Sequence, residues 1–217
     1  MNLPNRIWQG LLLPLLCALL WWLPVGNAQA AVNCTATMTN VAFGTVDLVA
    51  GGAPSPVTAT LNYSCTNNSL AVQARVCFNI GDGNEGVGNF NPRIMKSGAA
   101  DTLKFQLYQS TGGTVWGSNG NASAPNPFTV ALSIPGWSLF NGDGRVSGSA
   151  NMRGELIALQ TTVPPGAYQD SFAGGHTSIM LTSNLLFMPP DCNSVLLSST
   201  FPFVVSATVA KSCLVTA

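Results

Sequence analysis

Few residues of this chain could take part in covalent, acid–base or metal chemistry. The 217 residues include six cysteines, one histidine and eight carboxylates. No two cysteines have the Cys-x-x-Cys spacing of a zinc or redox site, and a lone His176 does not make a histidine-based metal site. A Ser-His-Asp triad around His176 lacks the Gly-x-Ser-x-Gly turn that would support it. These patterns predict a protein that is not an enzyme and that has no cofactor, metal or catalytic site.

The carboxylates are better explained as turn formers than as catalytic groups. Hydrolysis of a glycosidic bond needs two paired carboxylates, but most of the eight stand beside Gly or Asn. Segments 81–85 and 141–144 could be read as calcium loops. Neither has alternating acidic ligands, so we interpret both as turns. A carbohydrate-binding protein on a β-scaffold stays open as an alternative, because a fold does not fix a function.

The charge balance argues against nucleic acid as a partner. Charged residues make up 7% of the chain, against about 25% in an average globular protein. Lys and Arg number 8, as do Asp and Glu, and formal net charge is zero. A neutral chain has no positive field with which to gather phosphates. The low charge, with 47% apolar residues and a polar remainder of Ser, Thr, Asn and Gly, is typical of extracellular β-sandwiches.

Residues 1–30 have the pattern of a signal peptide. Arg6 supplies the positive charge, an apolar run follows, and residues 28–30 form a small-x-small cleavage motif. An uncleaved membrane anchor is the alternative, but the run is shorter than the roughly 20 residues a spanning helix needs and contains two prolines. We predict export, cleavage before Ala31 and no membrane span afterwards.

The rest of the chain has the period-2 alternation of β-strands. Gly, Pro, Asn and Asp clusters separate the alternating runs. No long 3.6-residue period is present. Short strands with frequent turns predict an all-β antiparallel sandwich, with a closed barrel as second choice. The candidate strands are 58–65, 72–80, 103–108, 128–134, 154–162, 176–182 and 203–209.

The cysteines after residue 30 predict disulfides and hint at a repeated domain. Exported thiols oxidise, but four cysteines allow three pairings and the sequence alone does not choose among them. A fifth is left over. The run leading to Cys34 is echoed before Cys213, either by chance or because Cys213 opens a second copy of the domain. The odd count favours a partner in sequence beyond Ala217. The five are Cys34, Cys65, Cys77, Cys192 and Cys213.

Six short motifs, in this order and spacing, resemble the spore coat protein U domain family. That family includes subunits of the Csu-type archaic chaperone–usher pili of Gram-negative bacteria. The resemblance covers most of residues 33–182. The motifs are Cys34 with Val41-Ala42-Phe43-Gly44; Tyr63-Ser64-Cys65; Asn91-Pro92-Arg93-Ile94-Met95; Leu103-Lys104-Phe105-Gln106-Leu107-Tyr108; Trp116-Gly117; and Pro165-Gly166-Ala167-Tyr168-Gln169-Asp170.

The resemblance implies an immunoglobulin-like sandwich stabilised by disulfides. It pairs Cys34 with Cys65 and Cys77 with Cys192, and leaves Cys213 unpaired. It implies a domain over 31–203, followed over 204–217 by an interdomain strand and the start of a second, missing domain, as in two-domain tip subunits. The motif residues carry no known catalysis, and we interpret the largest of them as buried or turn-fixing. These are Arg93, Tyr108, Trp116 and Tyr168.

The resemblance also implies partners and a location. Pilin domains of the family lack one strand and receive it from a neighbour. The expected partners are a periplasmic chaperone, an outer-membrane usher and other pilus subunits. The expected route leads through the periplasm to the cell surface, as part of a fimbrium. A coat-layer or periplasmic protein that never polymerises is the alternative.

Two turn-rich segments could form an adhesive surface. Tip subunits of the resembled pili are thought to use hydrophobic fingers, which implies attachment to abiotic or host surfaces and biofilm formation. The same residues could equally fill the ends of the core. The candidates are Ile134, Trp137, Leu139, Phe140, Leu186, Phe187 and Met188.

Two further predictions concern the ends of the domain. Phe203, Val205, Ala207 and Val209 share one face, so 203–209 should add a strand to the sandwich. Cleavage after residue 30 leaves three residues before Cys34, about 10 Å of extended chain. That is too short to fill a neighbour's groove, which predicts a subunit at the distal end of its fibre.

Overall fold

The computed structural model describes residues 32–49, 54–98, 100–110, 113–197 and 199–212. The predicted signal peptide and Cys213 lie outside these ranges. The described residues form β-strands, and none of their segments is a helix that could cross a membrane. The strands are β1 Val32–Met38, β2 Val41–Val46, β3 Val57–Asn67, β4 Val72–Ile80, β5 Arg93–Ser97, β6 Asp101–Gln109, β7 Phe128–Ile134, β8 Gly144–Leu156, β9 Gly166–Ser171, β10 Thr177–Asn184, β11 Val195–Leu196 and β12 Val204–Val209.

The strands form two sheets that pack face to face. One has eight strands in the order β1-β3-β8-β6-β5-β9-β12-β2, and the other has four in the order β11-β10-β4-β7. Every pairing is antiparallel except β2 with β12. The prediction of an all-β sandwich stabilised by disulfides is therefore confirmed.

Alternation along the strands builds the core. In β4, Val72, Ala74, Val76, Phe78 and Ile80 are all buried and belong to one apolar cluster, because every second side chain points to the same face. The aromatic residues of this cluster pack mainly in tilted or edge-on pairs, a geometry that suits the ring quadrupole. The predicted strands 72–80 and 128–134 coincide with β4 and β7.

The predicted strand 154–162 is wrong. Strand β8 begins ten residues earlier, at Gly144, and ends at Leu156. Its first half alternates small or polar residues with Val146, Gly148 and Ala150, which gives a weak apolar signal. Residues 157–162 contain a turn, and Gln160 ties that segment to β6 through Lys104.

The last strand completes the eight-stranded sheet. β12 lies between β9, to which it is antiparallel, and β2, to which it is parallel. Phe203, Val205, Ala207 and Val209 are all buried. The prediction that 203–209 adds a strand to the sandwich agrees with this arrangement. The position between β9 and β2 is therefore occupied by a strand of this chain itself.

Two disulfides join the described cysteines. Cys34 and Cys65 are direct partners in the β1–β3 ladder, with Cα atoms 4.0 Å apart. Cys77 on β4 is bonded to Cys192, 115 residues later. This is the pairing that the resemblance implies. By limiting the unfolded chain, each bridge should stabilise the fold by roughly 2–4 kcal/mol.

The chain enters the sandwich at one end and reaches the other at the close of β12. β1 begins opposite Asn67, the last residue of β3. After two residues β2 continues past β3, since Val41 lies near the Gly154–Val57 pair. β12 runs parallel to β2 and finishes beside Val46. Val32 and Val209 therefore lie towards opposite ends of the domain.

Candidate functional site

Three loops meet at the end of the sandwich where β1 begins. Loop 1 (68–71) joins β3 to β4, loop 2 (135–143) joins β7 to β8, and loop 3 (185–190) follows β10. Strand register brings them together: Val72 pairs with Ile134, Gln73 with Asn184, and Asn67 with Gly144. We call this end, with its three loops, the apolar end.

Loop 2 is a small hairpin that holds two large apolar side chains in solvent. Ser138 and Gly142 exchange two backbone hydrogen bonds of 2.9 Å each, and Gly142 adopts a φ of +67° that favours glycine. Leu139 and Phe140 occupy the turn, and Phe140 is 93% exposed. The Trp137 amide donates to the Ser69 carbonyl, 2.8 Å away, which ties loop 2 to loop 1.

Loop 1 contributes Leu70, which sequence reasoning missed. The side chain is 69% exposed. Its backbone is fixed by the buried Asn67, whose amide nitrogen donates to the carbonyls of Leu70 and Pro135 at 2.6 and 3.2 Å. Asn67 also accepts from the Ser69 amide. A single leucine among Asn, Ser and Ala gives no periodic signal, so only the strand register shows that it joins the apolar end.

Loop 3 exposes Leu185, Leu186 and Phe187, with Leu186 at 89%. The side-chain oxygen of Asn184 accepts the Leu186 amide at 2.9 Å, which starts the turn. Further along, the Arg75 Nε donates to the Pro189 carbonyl at 2.7 Å. Both ends of loop 3 are thus held by hydrogen bonds, while the apolar side chains between them stay exposed.

Two of the predicted adhesive residues do not belong to the exposed set. Ile134 is the last residue of β7 and is 1% exposed, because its position in the alternation turns it into the core. Met188 is only half-buried, beside the buried Pro189. The large apolar side chains that the apolar end does expose are Leu70, Trp137, Leu139, Phe140, Leu185, Leu186 and Phe187.

The apolar end carries little charge and its exposed residues point outward. Asp143 is the only ionisable side chain in the three loops. A cleft of about 340 Å³ lies elsewhere, between the start of β6 and the segment 160–164. Isolated exposed leucines are ordinary, but contiguous apolar loops on a rigid base mark an interaction surface.

The ionisable groups cluster towards the other end of the sandwich. The His176 Nδ1 lies 2.9 Å from the Asp82 Oδ1, and the Asp170 Oδ1 accepts the Glu85 amide at 2.9 Å. Among the described residues no serine or threonine hydroxyl is hydrogen-bonded to His176, and no three His, Cys, Asp or Glu side chains are grouped as metal ligands would be. This cluster surrounds the buried Arg93.

Arg93 shows what that cluster does. Its side chain is fully buried and donates to the carbonyls of Gly81, Ile80 and Trp116 and to the Gln106 Oε1, at 2.6–3.1 Å. Burial lowers its pKa to about 9, while the negative charges of Asp82 and Asp170 oppose that change. Arg93 therefore links β5 to β6, to the end of β4 with the segment that follows it, and to the segment that precedes β7. This is a structural role.

Asp170 makes the stability of this cluster depend on pH. Burial raises its pKa to about 6, against the backbone hydrogen bonds that lower it, and its Oδ2 has no hydrogen-bond partner among the described residues. A folded-state pKa above the unfolded value means that the folded state binds the proton more tightly. Stability is therefore gained as pH falls through 6 and is lost as pH rises.

We expect that gain to be about 1.4 kcal/mol between pH 7.5 and pH 5. Urea unfolding at both pH values should show it in the wild type and not in Asp170→Asn, which cannot ionise. Because Glu85, Asp82 and His176 are present in both proteins, whatever they contribute to the pH dependence of stability cancels in the comparison. Equal pH dependence in the two proteins would contradict the assignment.

Comparison with known proteins gives a family and a set of distant folds. The Spore Coat Protein U domain family matches residues 23–174. No curated protein sequence matches the chain. Among solved structures, the CooA pilin subunit of enterotoxigenic Escherichia coli is 11% identical, with a TM-score of 0.37, over 82% of this chain and 99% of that one.

Two tip proteins are also among the similar structures. The CupB6 tip adhesin of Pseudomonas aeruginosa is 10% identical, with a TM-score of 0.36, over 84% of this chain and 43% of its own. CfaE, the adhesive subunit of CFA/I fimbria of enterotoxigenic Escherichia coli, is 12% identical, with a TM-score of 0.36, over 82% and 49%. The chain thus spans about half the length of each tip protein. At these scores, the likeness carries no argument about function.

Proposed function

This chain belongs to the Spore Coat Protein U domain family, and from that premise we propose that it is an exported pilus subunit that attaches cells to surfaces through its apolar end. The proposed partners are a periplasmic chaperone, an outer-membrane usher, other pilus subunits and an abiotic or host surface. Attachment of this kind supports biofilm formation. The prediction that the chain is not an enzyme agrees with family membership.

One observation carries this proposal. Three separate loops place seven large apolar side chains at the same end of the domain, with one ionisable group among them. Exposing such a surface favours aggregation, so a soluble exported protein gains nothing from it unless the surface binds something. Exposed apolar side chains on projecting loops suit a flat, poorly hydrated partner, because attachment then removes apolar area from water on both sides.

The position of the apolar end supports a place at the fibre tip. β1 starts at the apolar end, whereas β12 finishes towards the opposite end. A following domain, if it begins near Cys213, would extend away from the apolar loops. With cleavage after residue 30, the few residues before Cys34 could not supply the five or six that a donated strand needs.

Replacing Trp137, Leu139 and Phe140 with Ser tests the proposal. We expect attachment of purified protein to polystyrene to fall at least tenfold. Burying one such side chain contributes about 1.5–3 kcal/mol, and three are removed. The melting temperature should stay within a few degrees, because all three are at least half exposed. Adsorption can be measured with a quartz microbalance.

The matched control replaces Leu159 and Val87 with Ser. Both are more than 75% exposed but lie outside the three loops. This control should attach as the wild type does. If the control and the loop 2 variant lose attachment equally, general surface hydrophobicity rather than the apolar end is responsible. If the loop 2 variant unfolds, those side chains support the core.

A further inference from the structure

Loop 3 is the least supported of the three loops, because it belongs to a long connection between β10 and β11, which pair at only two positions. Loop 2 has the Ser138–Gly142 ladder, and loop 1 is held by the buried Asn67. Between Asn184, the last residue of β10, and Cys192 the segment has no strand pairing of its own, and it rejoins β10 only at β11. Contacts beyond the short β10–β11 pairing are therefore needed to fix where Leu186 and Phe187 project.

The outer face of β4 supplies two fixed points for loop 3. Val72, Ala74 and Val76 face the core, so the side chains of Arg75 and Cys77 point to the opposite face. Arg75 binds the Pro189 carbonyl, and Cys77 is bonded to Cys192. The segment 189–192 therefore crosses the outside of the sheet as a strap, held at its start by Arg75 and at its end by the disulfide.

Arg75 sets how much of loop 3 is free to move. With the hydrogen bond from Arg75 to Pro189 in place, the segment between the contacts of Asn184 and Arg75 runs from 185 to 188. Without it, the next contacts that hold the segment are the 3.4 Å hydrogen bond from the Thr182 hydroxyl to the Asp191 Oδ1 and the Cys77–Cys192 disulfide, and the free segment lengthens to 185–190. Each additional residue that must be ordered on attachment costs conformational entropy. A longer, mobile loop must be ordered at the moment of attachment, which weakens binding.

We propose that Arg75 is a positioning residue for adhesion: with the Cys77–Cys192 disulfide it holds loop 3 so that Leu186 and Phe187 project at the apolar end. The inference rests on the proposed function for its adhesive consequence. Its structural part, the ordering of loop 3, stands on the hydrogen bond and the disulfide alone. Arg75 itself need not touch the surface to which the protein attaches.

Two substitutions of Arg75 separate positioning from charge. In Arg75→Gln the side-chain amide nitrogen takes the place of Nε on the same Cδ, so a donor to Pro189 is kept without the positive charge. In Arg75→Met a stem of similar length remains with no donor. Gln73→Met serves as the matched control, because Gln73 points to the same face of β4 but hydrogen-bonds to Ser133.

The readouts are amide hydrogen exchange in loop 3 and attachment of the intact protein to polystyrene. In Arg75→Met we expect the Leu186 and Phe187 amides to exchange about tenfold faster, as for loss of a hydrogen bond from a charged donor. We also expect attachment to fall about fivefold at an unchanged melting temperature. Arg75→Gln should restore both readouts, and Gln73→Met should change neither.

Three results would overturn the proposal. Unchanged exchange in Arg75→Met would show that Arg75 doesn't order loop 3. Faster exchange with unchanged attachment would show that ordering the loop is irrelevant to adhesion. Equal loss of attachment in the Gln and Met variants, without faster exchange, would make charge the cause. If the double variant Leu186→Ser/Phe187→Ser and the loop 2 variant both attach normally, the proposed function fails. Amide hydrogen exchange alone then decides whether Arg75 orders loop 3.

Discussion

A chain that ends at Pro202 is expected to aggregate instead of folding. The truncation removes β12 and with it Phe203, Val205 and Val209, which are buried between the two sheets. Losing three large buried side chains should cost about 5–8 kcal/mol, as much as the whole stability of many domains. It also leaves unpaired backbone groups on both β9 and β2, and open strand edges promote association.

A chain that ends at Ala210 is the matched control. It keeps β12 and loses, among the described contacts, the hydrogen bond from Ser212 to Asp47. Circular dichroism and size-exclusion chromatography should show a folded monomer for the control and aggregates for the shorter chain. A shorter chain that stays monomeric with the wild-type melting temperature would contradict the role of β12 in the fold.

Replacing Arg93 with Met is expected to lower the melting temperature by about 10 °C. The substitution leaves the carbonyl oxygens of Gly81 and Trp116 without a donor, and it removes the charged one of two donors from the Ile80 carbonyl and from the Gln106 Oε1, which keep Ser118 and Leu107. Each unsatisfied buried acceptor costs roughly 1–3 kcal/mol, and for a domain of this size each kcal/mol lowers the midpoint by about 2–4 °C. Differential scanning calorimetry measures the shift.

The exposed Arg145 provides the comparison for Arg93. It lies on β8, and its side chain points to solvent, so Arg145→Met should change the melting temperature by less than about 2 °C. Similar effects of the two substitutions would mean that the Arg93 hydrogen bonds contribute little. The motif containing Arg93 would then have to be explained by something other than packing.

The strands that the sequence predicts best are those in which apolar residues, most of them large, recur at every second position. The alternation in β4 and β7 defines both strands completely, because an apolar residue recurs at every second position, and only Cys77 and Ala131 interrupt the polar residues between them. β8 was partly missed because its inner residues include Gly148 and Ala150, whose small side chains hardly alter the hydrophobic pattern. β12 was found because four apolar residues recur at every second position.

The candidate site was harder to predict because it depends on which loops the topology brings together. Trp137, Leu139, Phe140, Leu186 and Phe187 are exposed, as the adhesive interpretation requires. Ile134 is instead buried at the end of β7, where the predicted strand 128–134 already places it. Leu70 and the supporting Asn67 and Arg75 gave no signal. Their roles follow from hydrogen bonds between segments more than 60 residues apart, which no local pattern records.

Hydroxyl-radical footprinting of the protein bound to polystyrene beads tests the central claim most directly. Radicals modify exposed Trp, Phe, Leu and Met side chains, so the adsorbed and free proteins can be compared residue by residue. We predict strong protection of Trp137, Leu139, Phe140, Leu186 and Phe187, weaker protection of Leu70, and unchanged labelling of Leu159 and Val87. Protection of Leu159 and Val87 with the apolar end still labelled would show that the protein attaches by another surface.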